Sequence, residues 1–245
     1  MKKILTLLVM VALAACWVSC SDDDDKNGDT NKSEKRLIRE IYNEDSYSIK
    51  FTYDEDGYIT KIEDGHYKET YTISKQGKKL TIINQYNSDK SIYWIYTLND
   101  KGYIISDDDE NYEYDNSDQM IKHTDSESIY TYTWKDGNVI SEKYQDDIDK
   151  SEYSSEEYEY YSEYENKSNI DLSSTIYSWD DGAYLADYCG KISKNLLKSY
   201  TDYNGERYEY EYEFDEQGYV STIKEYTIEN GKKELSNLYH IFYVE

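Results

Sequence analysis

Carboxylates are the most numerous side chains able to do chemistry in this sequence, with 52 Asp and Glu against 27 Lys and Arg in 245 residues. A carboxylate pair can hydrolyse a glycosidic bond, and the Asp-rich turns at residues 54–57 and 180–182 offer oxygen ligands for calcium. Among so many acids, however, pairs arise by chance at every separation, and neither turn continues into an EF-hand loop. The carboxylates therefore assign no catalytic residue, metal ligand or cofactor.

The histidines and the cysteine in the body of the chain also lack a reactive context. His66, His123 and His240 fall on different predicted strands without a partner at metal-ligand spacing, which predicts surface or strand-edge positions. Cys189 belongs to no nucleophile motif, and no Gly-x-Ser-x-Gly sequence is present. These residues favour a protein without catalytic activity. A secreted hydrolase that uses a carboxylate pair is the alternative.

Tyrosine and tryptophan are the residues best suited to ligand binding, and the chain has 32 Tyr and four Trp. Their flat, amphipathic rings can contact sugars or peptides at little entropic cost. Trp94, Trp134 and Trp179 are therefore a candidate ligand platform, and core packing is the other interpretation of these residues. The formal net charge of -25 repels phosphates, which excludes nucleic-acid binding by phosphate neutralisation.

The N-terminus has the features of a secretory signal. Lys2 and Lys3 precede an apolar segment, residues 4–15, which is too short for a spanning helix of about 20 residues. The following sequence, Leu13-Ala-Ala-Cys16 and then Cys20-Ser-Asp-Asp-Asp-Asp, resembles a bacterial lipoprotein signal. We predict lipidation at Cys20, with Cys16 as the alternative, because the acidic run resembles the export signal of Bacteroidetes surface lipoproteins.

These assignments divide the chain into three parts and predict its location. Residues 1–19 are a lipoprotein signal peptide, residues 20–36 an acidic flexible tether, and residues 37–245 a single β domain. We expect an outer-membrane lipoprotein at the cell surface, attached to the membrane through its N-terminal lipid. Removal of the signal leaves Cys189 as the one thiol of the domain, so no intramolecular disulfide is available.

The domain must be built from strands, because apolar and polar residues alternate with a period of two. Residues 208–214, Tyr-Glu-Tyr-Glu-Tyr-Glu-Phe, place aromatic rings on one face and carboxylates on the other. Residues 92–98 are apolar on both faces, which predicts a strand covered on both sides. The acidic block at residues 142–165 predicts a solvated strand edge that repels other sheets.

A recurrent turn phrase separates these strands. Asp or Asn opens each turn, and Gly57, Gly102 or Gly218 supplies the positive φ that closes it. Weaker copies at residues 77, 118 and 137 bring the spacing to one hairpin per 16 to 25 residues. The sequence therefore predicts an all-β, single-domain antiparallel meander that forms a strongly curved, open barrel-like sheet. Residues 171–200 break the alternation, which predicts an irregular crossing with about one helical turn.

These features together resemble a known family. The lipoprotein start, the Tyr-x-Phe-Asp-x-x-Gly-Tyr-Val hairpin at residues 212–220 and the Gly-Lys-Ile-Ser-Lys-Asn-Leu phrase at residues 190–196 are similar to a Bacteroidetes lipoprotein family, domain of unknown function 4595. The resemblance covers most of residues 37–245 and implies a porin-like fold without an established activity. The hairpins are also similar to the YD repeats of Rhs-type shells.

Composition and resemblance lead to one functional expectation and two alternatives. The face opposite the tyrosines is Glu, Lys, Thr and Ser, which favours a sheet in water over a membrane barrel. We expect a lipid-anchored binding or scaffolding lipoprotein, with a glycan or peptide as the ligand. The alternatives are the carboxylate-pair hydrolase and an envelope-assembly lipoprotein that acts through exposed strand edges.

Overall fold

The computed structural model describes residues 36–44, 47–86, 90–146, 152–172 and 183–245. Cys16, Cys20 and Trp179 lie outside the described residues, as do the signal peptide and nearly all of the tether. A 3-10 helix spans Ala183–Tyr188. The strands are β1 Ile38–Asn43, β2 Tyr47–Tyr53, β3 Ile59–Asp64, β4 Glu69–Gln76, β5 Lys79–Tyr86, β6 Lys90–Leu98, β7 Ile104–Ser106, β8 Asn111–Tyr114, β9 Met120–Thr124, β10 Ser128–Lys135, β11 Asn138–Asp146, β12 Glu152–Glu165, β13 Asn195–Thr201, β14 Arg207–Phe214, β15 Val220–Glu229 and β16 Lys232–Tyr243.

The strands form a closed antiparallel barrel. Each strand pairs with its neighbours in sequence, and β1 pairs with β16 from Ile38↔Tyr243 to Asn43↔Tyr239. The predicted all-β meander is thus confirmed, but the sheet is closed where we expected an open one. Closure gives all sixteen strands a partner on both sides, which removes the free edges of an open sheet.

The turn phrase folds as its residues predict. In the β2–β3 turn, the Asp54 Oδ1 accepts the backbone N–H groups of Asp56 and Tyr58 at 3.0 and 2.8 Å. Gly57 closes that turn with φ +80°, a conformation that favours glycine. Asp118 takes the glycine position of the β8–β9 turn with φ +65°. In a meander, successive turns lie at alternate ends of the barrel. The copies of the phrase all follow even-numbered strands, so they lie at the same end.

An irregular segment lies at that end between β12 and β13, and its described parts are residues 166–172 and 183–194. It contacts β1 through the Ile38 N–H, which donates to the Asn169 Oδ1 at 3.1 Å. Near the start of β13, the Lys191 N–H donates to the Asp118 carbonyl at 2.8 Å, and the Lys194 N–H donates to the Gly137 carbonyl at 2.9 Å. The described parts of the crossing therefore contact the rim at β1, at the β8–β9 turn and at the β10–β11 turn. The predicted crossing and helical turn are confirmed, although β13 begins at Asn195, earlier than expected.

Buried apolar side chains are distributed unevenly around the barrel. Strands β1–β6, which we call the aliphatic half, bury Ile38, Ile41, Ile49, Phe51, Ile59, Ile62, Ile73, Leu80, Ile82, Tyr96 and Leu98. Within the described residues, none of the apolar side chains between Ile104 and Ile170 is buried. The barrel therefore has a packed aliphatic half and a half, around β8–β12, that is lined by other chemistry.

Two sequence expectations are wrong in detail. Ile95 on β6 is 46% exposed, so this strand is covered on one face only over the residues whose side chains are described, Trp94 to Leu98. In the part of the acidic block that the structure describes, neither strand has a free edge, because β11 pairs with β10 and β12, and β12 pairs with β11 and β13. Alternation within the closed sheet turns two of its acids, Glu142 and Glu156, toward the interior. On β14 the prediction is confirmed: Tyr210 is buried, and Glu211 and Glu213 are exposed.

Candidate functional site

The inward-facing side chains of β8–β12 form the candidate site, which we call the tyrosine wall. Strand register places them side by side, since residues two apart along a strand share a face. The outward positions between them carry ion pairs such as Lys122 with Glu113 at 2.9 Å. The wall consists of Tyr112 on β8, His123 on β9, Tyr130 and Tyr132 on β10, Glu142 and Tyr144 on β11, and Glu156 and Tyr158 on β12.

One row of the wall is a stack of aromatic rings. The His123 imidazole lies 4.6 Å from the Tyr112 ring and 5.2 Å from the Tyr130 ring, nearly parallel to both. Tyr144 continues the row 5.3 Å beyond Tyr130. The expected surface or strand-edge position of His123 is therefore wrong. The adjacency of these rings comes from pairing between strands, which the sequence spacing of the residues does not show.

His123 also interacts with a carboxylate at the rim. Its Nε2 lies 3.4 Å from the Glu110 Oε2, within ion-pair distance but outside hydrogen-bond geometry. The Tyr112 hydroxyl donates to the same oxygen. The interaction with His123 lowers the pKa of Glu110, so this carboxylate is ionised at neutral pH.

The second row of the wall brings two carboxylates together. Glu142 is the register partner of Tyr132 on one side and of Glu156 on the other. The Tyr158 hydroxyl donates to the Glu156 Oε2 at 2.7 Å. Desolvation, followed by repulsion from Glu156, raises the pKa of Glu142 to about 7, and desolvation also raises the pKa of Glu156. Inward positions among the described residues of β8–β12 hold neither Lys nor Arg to balance these charges.

The wall keeps surface that solvent can reach. Desolvation is the largest cause of the raised pKa values of Tyr132, Glu142 and Tyr158. Each of these side chains is nevertheless only partly buried. On the opposite side of the barrel, Ile49 on β2 and Ile62 on β3 are 0% and 1% exposed. The inward side chains of the tyrosine wall therefore keep accessible surface, whereas the opposite side of the interior is packed.

The structure places the predicted tryptophan platform as follows. Trp94 on β6 is partly buried against the core and stacks on Tyr71 at 6.4 Å. Trp134 on β10 is also partly buried, and its indole N–H donates to the Met120 carbonyl at 2.7 Å. Three strands separate β6 from β10, so the two rings do not form a continuous surface. Their role in ligand binding stays a prediction, as does lipidation of Cys20 or Cys16.

Other reactive groups have structural surroundings. Burial raises the pKa of the Cys189 thiol to about 12, so it is protonated and a poor nucleophile at neutral pH. Within the described chain, His, Cys, Asp and Glu form no group of three or more that could hold a metal ion. None of the helices described here combines the length and apolar character needed to cross a membrane.

Comparison with known proteins identifies the fold. No family model and no curated protein matches the chain. A porin-like protein from Bacteroides vulgatus matches with a TM-score of 0.52 and 14% identity, over 85% of this chain and 99% of that protein. A porin-like protein from Bacteroides uniformis matches with a TM-score of 0.47 and 17% identity, over 84% and 98% of the two chains. This chain has the porin-like barrel fold.

A larger structure also matches part of its length. The crystal structure of TcdB2-TccC3 matches with a TM-score of 0.29 and 14% identity, over 80% of this chain and 14% of that one. At this level of similarity the match carries no argument about fold or function.

Proposed function

We propose that this protein is a lipid-anchored outer-membrane lipoprotein, displayed at the cell surface, that binds a ligand in its barrel lumen against the tyrosine wall. We also propose that it belongs to the family of domain of unknown function 4595. One observation supports the binding function: Tyr132, Glu142 and Tyr158 occupy inward register positions, are desolvated and still keep accessible surface. Concave, accessible sites lined by aromatic rings and a few polar groups are typical of ligand binding.

The outer face of the barrel supports attachment through a lipid. Ion pairs join strands across it, at 2.5 to 2.9 Å: Glu113 with Lys122 and Glu213 with Lys224 on neighbouring strands, and Glu211 on β14 with Lys233 on β16. A lipid-facing band requires aliphatic side chains at these positions, since charges there are costly. The barrel therefore stands in water, and an N-terminal lipid provides its membrane attachment.

The chemistry of the wall suits a glycan or a peptide. Tyrosine rings present flat faces, and their hydroxyls and the neighbouring carboxylates offer hydrogen bonds. Trp94 and Trp134 are the proposed additional contacts on either side of the short strands β7–β9. Scaffolding through free strand edges has less support, because closure pairs every strand on both sides.

The anchor is tested by replacing each candidate cysteine in the full chain. Metabolic labelling with a palmitate analogue should be lost in Cys20→Ala and retained in Cys16→Ala, and protease added to whole cells should degrade the labelled protein. Label that is lost only in Cys16→Ala would move the lipid to the alternative site. Label retained in both single variants and in the double variant would contradict the anchor.

Lumen binding is tested on a glycan and peptide array with the full chain in detergent. Tyr130→Ala removes the middle of the aromatic row and should abolish retention, whereas Tyr203→Ala, at a 64% exposed outer residue, should leave it unchanged. Melting temperature reports the fold of both variants. Retention that survives Tyr130→Ala with an unchanged melting temperature would place binding elsewhere.

A second candidate function, glycoside hydrolysis, is favoured by the Glu142–Glu156 pair. A carboxyl group with a pKa of about 7 is suited to act as a general acid, and a second carboxylate lies directly across the strand pair. Release of nitrophenol from aryl glycosides should then follow a bell-shaped pH profile and disappear in Glu142→Gln. Wild-type protein that releases no nitrophenol would reject this candidate and leave the binding function intact.

A further inference from the structure

We propose that the tyrosine wall binds an organic cation, a ligand with a primary ammonium group on an aliphatic chain, beside Glu142 and Glu156. The proposal rests on the proposed ligand-binding function and names the chemistry of the ligand. It follows from four features of the wall: carboxylates without a lysine or arginine partner among the described inward residues, aromatic faces, an open hydroxyl, and a matching arrangement elsewhere in the same protein.

The carboxylates of the wall have no lysine or arginine partner among the described inward residues, and His123 is a basic group that acts electrostatically on Glu142. Glu142 and Glu156 are direct register partners, and the Cβ atoms of such partners lie about 4.5–5.5 Å apart. On the outer face the acids of β14 are matched by lysines, with Lys224 on Glu213 and Lys233 on Glu211. The described inward positions of β8–β12 offer no equivalent cation. A ligand that brings one would relieve the repulsion between the two carboxylates.

Aromatic faces flank the carboxylates on both sides. The Tyr112, His123 and Tyr130 rings stack on one side, and on the other the Tyr158 ring stacks 6.0 Å from that of Tyr200, which stacks 4.8 Å from that of Tyr208. Tyrosine faces attract ammonium groups and also pack against methylene chains. The wall therefore suits a ligand that joins a positive group to an apolar chain.

The Tyr132 hydroxyl is an independent sign of a missing partner. Within the described residues it makes no hydrogen bond, although desolvation raises the pKa of this tyrosine well above its usual value of 10.0. Register places Tyr132 beside Glu142, whose other partner is Glu156, and both carboxylates act electrostatically on the Tyr132 hydroxyl. An ammonium group has three donors, enough for two carboxylates and one phenol oxygen.

The protein already holds one ammonium group in this way on its outer face. The Lys233 Nζ lies 2.7 Å from the Glu211 Oε1, 3.3 Å from the Glu209 Oε2 and 4.1 Å from the centre of the Tyr226 ring. Two carboxylates and one tyrosine ring thus surround a lysine side chain. The wall presents the same groups as Glu142, Glu156 and Tyr158, with the ammonium position facing the lumen.

The experiment compares 1,8-diaminooctane with its neutral analogue 1,8-octanediol by calorimetry on the full chain in detergent, at about pH 8 and physiological salt. The diamine should bind with one-to-one stoichiometry and the diol should not. Glu142→Gln and Glu156→Gln should each weaken diamine binding about tenfold, as expected for loss of one charged hydrogen bond. Glu113→Gln removes the same charge from the outer face and should change the affinity less than about twofold.

Each other result overturns the proposal in a recognisable way. Equal losses in Glu142→Gln and Glu113→Gln would mean general attraction to an acidic protein. Displacement of the diamine by an equivalent of Ca²⁺ would indicate a metal site. Equal binding of diol and diamine would reject the cation and keep the lumen as a binding site. Absence of diamine binding would also reject the organic-cation proposal. The glycan and peptide array tests the proposed ligand-binding function separately. Melting temperatures show whether each variant is folded.

Discussion

The two halves of the barrel interior use the same strand geometry for opposite purposes. In the aliphatic half, Ile49, Ile62 and Leu80 are at most 1% exposed. In the tyrosine wall the corresponding inward positions are tyrosine, histidine and glutamate, and they keep accessible surface. Alternation and turns are thus enough to build the barrel. The type of the inward residue decides whether that part of the interior is fully packed or keeps accessible surface.

The halves also differ in what they contribute to stability. Full burial of an aliphatic side chain stabilises a fold by about 1.5–3 kcal/mol, and β1–β6 do this repeatedly. A facing carboxylate pair in a desolvated site has the opposite effect. We infer that the aliphatic half holds the fold together and permits the other half to carry a costly arrangement suited to a ligand.

The largest expected effect comes from removing an aliphatic side chain. Ile62→Ala should destabilise the protein by about 2–5 kcal/mol, since it leaves a cavity in a packed region. The measurement is urea unfolding followed by tyrosine and tryptophan fluorescence. Ile121→Ala is the control, because Ile121 on β9 is 38% exposed and its loss should cost less than about 0.5 kcal/mol. Equal costs at both positions would remove the distinction between the halves.

The next effect concerns the crossing over the barrel end. A Cβ atom on Gly190, whose φ is +79°, would lie 2.5 Å from the Asp118 carbonyl oxygen and 3.0 Å from the Tyr114 ring. Gly190→Ala should therefore cost about 3 kcal/mol, from strain and a backbone clash.

Gly205 provides a matched control for that substitution. Its φ is +83°, but a Cβ atom there would meet nothing within 4 Å. Gly205→Ala should cost only the conformational strain, about 1 kcal/mol. Similar losses of melting temperature in the two variants would mean that the crossing does not seat tightly on the β8–β9 turn.

A smaller effect with a definite sign comes from the wall. Because its folded pKa is raised from 4.5 to about 7, Glu142 favours folding at low pH, and this contribution is lost as the pH rises through about 7. Glu142→Gln should match the wild type near pH 4 and be more stable near pH 8 by roughly 1–3 kcal/mol. Thermal unfolding of both proteins at both pH values measures this difference in stability. A variant less stable than wild type at pH 8 would give Glu142 a structural role.

The smallest effect is expected on the outer face of the same half. Lys122→Ala removes the exposed ion pair with Glu113 on β8 and β9, and should cost about 0.2–1 kcal/mol. The difference from wild type should vanish in about 1 M salt, where exposed charges are screened. A loss that persists in high salt would show that the Lys122 stem, rather than its charge, stabilises the strand pair.

Much of the fold could be predicted from local sequence. The Asp-to-Gly turn phrases marked the hairpins at residues 57, 102 and 218, and alternation in residues 208–214 assigned both faces of β14 correctly. Closure could not be predicted, since pairing of β1 with β16 joins the two ends of the domain and leaves no local pattern. The crossing was recognised by its missing alternation, but its path depends on distant partners such as Asp118.

The candidate site was missed for a physical reason. In β11 and β12 both faces carry polar residues, so alternation separates Glu142 from Lys143 without showing which one points inward. His123 likewise gains its neighbours Tyr112 and Tyr130 only through register across three strands. The clue in the sequence was the shared face of residues 142 and 144 in one strand and of residues 156, 158 and 160 in the next, which carries glutamate and tyrosine without a lysine.

The most direct test is the pKa of Glu142 itself, measured by carbon-detected NMR of the side-chain carboxyl in the full chain, with Glu142→Gln to assign the signal. Because Glu142 and Glu156 are coupled, they titrate as a pair with two apparent pKa values, and the test uses the higher of these two pKa values. A desolvated carboxylate pair facing the lumen predicts a value near 7. A value at or below about 4.3, that of a free glutamate in water, would contradict it.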